Sequence, residues 1–328
     1  MVDAGFAAQS LRLVFFGTPD FATPTLEALL ASQHQILAVV TQPDRPRGRG
    51  QQLSDAPVKA LALTRDVPVL QPERLKDEPF IERLRGLAPD LGIVAAYGKI
   101  LPDEVLAIPR QGLINVHASL LPKYRGAAPV HRAVIAGERE TGVTIMRVVH
   151  DLDAGPMLDW RRRPIAENET SVEVEAALAR LGADLAREIV DRLASGAVPG
   201  VPQDSRDATY APRLTRADGI IDWQRPARAL HDLVRGLHPW PHASAYVQTA
   251  RYLVHRSRVS EPPASRTAAP GSVLEATSDR LLVAAGGGSA LQILEIQPEG
   301  RRVMTAREFL AGHRMTPDTR FTAVPGVP

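Results

Sequence analysis

At 328 residues, with 44% hydrophobic and 23% charged side chains, the chain has the composition of an ordinary soluble protein with one large or two moderate cores. It contains no cysteine, which excludes disulfides, thiolate metal sites and a cysteine nucleophile, and agrees with a cytoplasmic location. The formal charge of +2 conceals an asymmetry: residues 1–205 carry 23 Lys and Arg against 26 Asp and Glu, while residues 206–328 carry 16 against 11, so the second part points to a polyanionic partner.

The first ten residues have neither the basic region nor the apolar run of a signal peptide and read as a disordered extension. No later stretch is long and apolar enough to span a bilayer, and no membrane association is expected. Short apolar runs at 11–16, 36–41, 67–70, 91–96 and 113–117 then alternate with helical spacing at 21–32, 56–65 and 73–87. That is the pattern of βαβ units around a mostly parallel sheet. A further strand is predicted at 143–149, and a long helix at 171–194 with Thr170 and Glu173 as its capping box and Gly196 just past its end.

Pro199, Gly200 and Pro202 interrupt every period, so residues 198–217 are read as a linker. Beyond it comes one helix at 226–237, whose Leu230, Leu233, Val234 and Leu237 share a face. Short strand-like runs follow at 245–247, 252–259, 272–276, 280–284 and 291–296, and Thr305 with Glu308 marks the start of a last helix. The expected fold class is α/β: a Rossmann-like open sheet with helices on both faces over 1–197, then a small OB-like β-barrel over 218–328, of the kind that often binds oligonucleotides.

The turn Gly17-Thr18-Pro19-Asp20 stands where a dinucleotide loop would be, but it lacks the G-x-G-x-x-G spacing, and Pro19 and Asp20 oppose the close approach of a pyrophosphate. The chemistry lies further on. Asn115 and His117 are two apart on a predicted strand, so they point to one face at its carboxyl end, where open α/β sheets bind ligands. Asn115 offers an amide donor to a developing oxyanion, and Asp153, in the loop after the next strand, can orient or charge the imidazole. Ser119, Leu120, Leu121 and Pro122 form a rigid apolar turn beside them.

Five segments make the chain resemble the folate-dependent formyltransferases: residues 16–21 (FGTPDF), 42–50 (QPDRPRGRG), 96–102 (AYGKILP), 115–126 and 141–155. Ile221-Asp222-Trp223 and Pro239-Trp240-Pro241 extend the resemblance over most of the chain. The branch it is most similar to acts on aminoacylated initiator tRNA. The resemblance implies transfer of the formyl group of 10-formyltetrahydrofolate to the α-amine of methionine carried by initiator tRNA. It makes Asn115, His117 and Asp153 the catalytic trio, places Ser119, Leu120, Leu121 and Pro122 at the folate, and gives Arg45, Arg47 and Arg49 of the 42–50 loop the tRNA contact, with Arg49 foremost. A monomer is expected. The alternative is a formyltransferase acting on an amino-sugar nucleotide; a glycinamide-type enzyme would lack the C-terminal region, and a non-catalytic RNA-binding protein would not need the trio.

No metal is expected. His238 and His242 are four apart, but Pro239 and Pro241 forbid a regular helix between them. His150 beside Asp151 reads as a surface turn, and of the consecutive Arg161, Arg162 and Arg163 a strand would send neighbours to opposite faces.

Overall fold

In this computed structural model the described residues are 10–44, 46–47, 52–263 and 268–326, with residues 46–47 and 52–53 described as backbone only. The chain divides into two compact units, one of residues 1–129, 141–163 and 175–211, the other of 130–140, 164–174 and 212–328. No helix among the described residues is long and apolar enough to cross a membrane.

The first unit is built on β1 (Arg12–Gly17), α1 (Thr23–Leu30), β2 (Gln35–Val40), a short hairpin of β3 (Pro46–Arg47) and β4 (Gln52–Leu53), α2 (Pro57–Leu63), β5 (Val69–Leu70), α3 (Glu78–Gly86), β6 (Leu91–Ala95), α4 (Asp103–Leu106) and β7 (Leu113–His117). The chain continues through α5 (Pro129–Ile135), β8 (Glu140–Arg147), β9 (Met157–Pro164) and the long α6 (Ser171–Ser195). Seven strands form one sheet in the order β5-β2-β1-β6-β7-β8-β9. The pairs from β5 to β7 are parallel, and β8 joins β7 antiparallel.

Val14 and Phe16 of β1, Ala38 and Val40 of β2, and Phe80, Ile81 and Leu84 of α3 fill one face, with Tyr97 set edge-on to Phe16 at 5.7 Å. Burial pushes the Tyr97 phenol up to about 12. The predicted helix at 73–87 begins only at Glu78, because Pro79 suits the first turn of a helix and not its interior. Gly17 closes the first turn as expected: a side chain there would meet Phe15, Ala22 and the Ala95 carbonyl.

Two elements escape the pattern. β9 alternates half-buried Arg161 and Arg163 with exposed Arg162 on an edge strand, where charge replaces the apolar signal a central strand carries. The 42–50 loop carries β3, which pairs antiparallel with β4 just beyond it. Arg45 and Arg49 lie outside the described residues, and so does the side chain of Arg47.

In the second unit α7 (Ala227–Gly236) buries Leu230, Leu233 and Val234, as its spacing predicts, and packs on a six-stranded antiparallel sheet. Its strands are β10 (Ala243–Val247), β11 (Ala250–Ser260), β12 (Val273–Thr277), β13 (Arg280–Ala285), β14 (Ser289–Pro298) and β15 (Met304–Thr305). The order is β10-β11-β14-β13-β12, with β15 on β14. The capping box of Thr305 and Glu308 starts α8 (Ala306–Gly312) as predicted.

Candidate active site

β7 ends in the middle of its sheet, between β6 and β8, and delivers Asn115 and His117 to the same face. His117 is buried and Asn115 partly so. The Asp153 carboxylate comes to both from the loop between β8 and β9. Its Oδ1 accepts from Asn115 Nδ2 at 3.5 Å, and its Oδ2 lies 3.7 Å from His117 Nδ1. The second separation exceeds a hydrogen bond and leaves Nδ1 close to a negative charge without being consumed by it. The three residues singled out from sequence therefore converge.

Each polar group has a defined orientation. His117 Nε2 is 3.0 Å from the Tyr124 carbonyl oxygen. A carbonyl only accepts, so Nε2 carries the hydrogen and Nδ1, facing Asp153, holds the lone pair of the neutral ring. Asp153 Oδ2 accepts the Gly126 N–H at 2.8 Å, which fixes the carboxylate. Gly126 has φ +115°, and a side chain there would press on the Ala211 carbonyl at 3.0 Å, so only glycine presents that N–H without strain. Asp153 is itself left-handed at φ +49°, a conformation Asp tolerates better than most residues. Two residues on, a side chain on Gly155 would meet the Arg147 carbonyl at 1.9 Å, so the loop can lie against the end of β8 only with glycine there.

The turn after β7 is held from inside. Ser119 Oγ donates to the Lys123 carbonyl at 2.6 Å, and Thr144 of β8 donates to the Ser119 carbonyl at 2.8 Å while accepting the Leu121 N–H at 3.2 Å. The Leu121–Pro122 peptide is cis. Ser119 and Leu121 are buried in building the turn, whereas Leu120 and Pro122 remain partly accessible.

Sequence reasoning missed what surrounds this turn. Gln203, in the Pro- and Gly-rich stretch, donates from Nε2 to the carbonyls of Asp153 and Gly155, both at 2.8 Å. Its Oε1 accepts from Arg125 at 2.8 and 3.0 Å, and Arg125 is buried. Further on, Thr209 takes the Tyr124 N–H on its hydroxyl at 2.9 Å and the Arg125 N–H on its carbonyl at 2.8 Å. Ala211 exchanges backbone bonds with Arg125, Ala127 and Ala128. Residues 203–211 thus strap the turn that follows β7 and the loop that carries Asp153. Nothing in residue type announces this, because most of these bonds go to backbone. His150, by contrast, is an exposed surface residue paired with Asp103 at 3.1 Å.

As chemistry, an amide donor, an imidazole with a free lone pair and an oriented carboxylate drawn together at one strand end can accept a proton from a nucleophile and hold negative charge on an oxygen. Two family models match the chain: "Formyl transferase" over residues 11–190 and "Formyl transferase, C-terminal domain" over residues 213–314. The chain is 49% identical over 304 residues to the methionyl-tRNA formyltransferase of Pelobacter propionicus, covering 93% of this chain and 94% of that one. It is 47% identical over 305 residues to that of Methylococcus capsulatus, covering 93% and 98%. Among solved structures, an N-formyltransferase from Helicobacter canadensis in complex with folinic acid and dTDP-3-aminofucose shares the fold with a TM-score of 0.65 at 17% identity, over 88% of this chain and all of that one.

Proposed function

The chain belongs to the formyl transferase family, and from that membership and the geometry at the end of β7 we infer that it formylates the α-amine of methionine on initiator tRNA. Full-length relatives sharing nearly half of its residues carry that activity in their names, whereas the sugar-directed enzyme is related only at the level of fold. The observation that carries the reading at atomic level is the convergence of Asn115, His117 and Asp153. The formyl donor is a tetrahydrofolate derivative, and we propose 10-formyltetrahydrofolate, a co-substrate that supplies the one-carbon group.

The reaction forms a bond from the methionine nitrogen to the formyl carbon and breaks the bond from that carbon to the folate nitrogen; the amine loses one proton and the folate nitrogen gains one. We assign Asn115 Nδ2, and the His117 ring once Nδ1 has taken a proton beside Asp153, to the formyl oxygen as it gains negative charge. Asp153, held by the Gly126 N–H, orients His117 and faces the attacking amine. Leu120 and Pro122 bound the folate side. We assign Arg45, Arg47 and Arg49 to the tRNA acceptor end and the protein to action as a monomer.

The test is to incubate the protein with methionyl initiator tRNA and formylated tetrahydrofolate and to weigh the amino acid recovered. Formylmethionine from initiator tRNA, with little from elongator methionyl-tRNA, is the expected result; equal modification of both overturns the specificity, and none overturns the reading. Arg49→Glu is expected to raise KM for tRNA about tenfold while leaving folate binding unchanged, since phosphate contacts carry much of such affinity. Equal effects on both substrates would remove the loop from tRNA recognition.

A further inference from the structure

We propose that His238, His242 and His255, all in the second unit, form a binding site for a divalent transition metal ion of the zinc type. His238 and His242 bracket the loop that follows α7, and His255 stands on β11. Reading the sequence for a helical i, i+4 pair excluded a metal here. The structure brings the side chains together by another route, a tight loop with cis peptides at His238–Pro239 and Trp240–Pro241. One imidazole nitrogen of each histidine lies within 4.8 Å of those of the other two. The His238 and His242 ring centroids are 5.4 Å apart, and those of His242 and His255 are 4.1 Å apart.

The protonation pattern is what a metal requires. Nδ1 of His238 and Nδ1 of His242 are both buried without a hydrogen-bond partner among the described residues. Buried polar atoms are nearly always paired, and two orphaned imidazole nitrogens in adjacent rings call for a shared acceptor of lone pairs. His255 is oriented by Gln297: its Nε2 lies 2.8 Å from the Gln297 amide oxygen, so Nε2 carries the hydrogen and Nδ1 is left with its lone pair. An outer partner that fixes the tautomer in this way is the usual companion of a metal-bound histidine.

His242 is held in the left-handed backbone region at φ +65°, an unfavourable conformation for a residue with a side chain, and that conformation places its ring between the other two. Zinc bonded to nitrogen at about 2.0–2.1 Å sets its ligand nitrogens roughly 3.4 Å apart, so small ring rotations close the present spacing. Three histidines leave a fourth position for water or an exogenous donor. Bound there, the ion would tie the loop to β11.

The experiment uses the full chain, freed of metal with a chelator and titrated with Zn2+ alone by calorimetry and with Co2+ alone by visible absorption. One tight site per chain is expected, with nitrogen-ligand bands for Co2+ and a rise in melting temperature with Zn2+ that follows its concentration. His242→Ala and His238→Gln should each weaken binding about a hundredfold or more, while His150→Ala, on an exposed histidine elsewhere, leaves it unchanged. Should either ligand variant lose its fold, the wild type still decides: Zn2+ must shift the imidazole NMR resonances of these three histidines ahead of the others. No saturable site in the wild type, unchanged affinity in both ligand variants, or shifts confined to other histidines would overturn the proposal.

Discussion

Two segments meet at the candidate active site and differ in every respect a sequence can display. The first, residues 115–126, brings an amide, an imidazole and a turn, and its residue types state their chemistry. The second, residues 203–211, contributes one glutamine side chain, one threonine hydroxyl and a run of backbone groups, yet it holds Tyr124, Arg125, Ala127, Asp153 and Gly155 in place. We assign the first segment to act on substrate, and the other fixes where the first can stand. A substitution in either should reduce turnover, but with different signatures.

The largest effect is expected in the first segment. Asn115→Ala and His117→Ala should each lower kcat by about a hundredfold or more with smaller changes in KM, because the groups removed act on charge that exists only in the transition state. Near-normal turnover in Asn115→Ala would take that residue out of the mechanism. Asp153→Asn keeps the shape and loses the charge; activity should fall while the melting temperature holds, and retained activity with an unaltered pH profile would remove its assigned role.

An intermediate effect is expected in the strap. Gln203→Ala strips the Asp153 and Gly155 carbonyls of a donor and buried Arg125 of its acceptor, and should lower kcat about tenfold by letting the Asp153 loop shift. Gln203→Glu separates the two halves of that contact: a carboxylate still pairs with Arg125 but repels the two carbonyls. Turnover should therefore stay low in Gln203→Glu even where stability recovers. Recovery of turnover would show that the Arg125 half alone matters, and the strap would then be no more than a structural brace.

This contrast also marks what was legible in the sequence. The alternation of apolar runs and helical periods gave the parallel strands, the long α6 and the antiparallel second sheet, because burial repeats with the period of each element. Asn115 and His117 were legible because a period of two puts them on one face. Strand order was not, since it depends on which edges pair across the chain. β9 stayed hidden because its arginines mask the alternation at a sheet edge, and the grip of Gln203 because its partners are carbonyls, which every residue has. The approach of the three histidines was not legible for a related reason: the spacing was weighed against a helix, and the segment between His238 and His242 is a loop.

The smallest effect tests the same lesson, that surroundings assign the role, on two residues of identical type. Glu173 and Glu175 stand two apart at the start of α6. Glu173 closes the capping box on Thr170, and the backbone and side-chain hydrogen bonds from Thr170 hold its carboxyl below the usual range. Burial, together with the nearby charge of Asp20, pushes Glu175 above it. The signs follow from linkage. Glu173, with a depressed folded value, stabilises the fold above its unfolded value, and that contribution is lost as pH falls through the folded one. Glu175, with a raised folded value, penalises the fold when ionised, and the penalty disappears as pH falls below its unfolded value. Thr170→Ala should therefore cost stability at neutral pH by roughly 1 kcal/mol, the usual worth of a helix cap, and less in acid. Glu175→Gln should raise the melting temperature at pH 7 by about 1–2 °C and lose that advantage near pH 4. A Glu175→Gln protein no more stable than the parent at neutral pH would mean that the carboxylate is solvated after all, and that position along α6 does not divide these two residues.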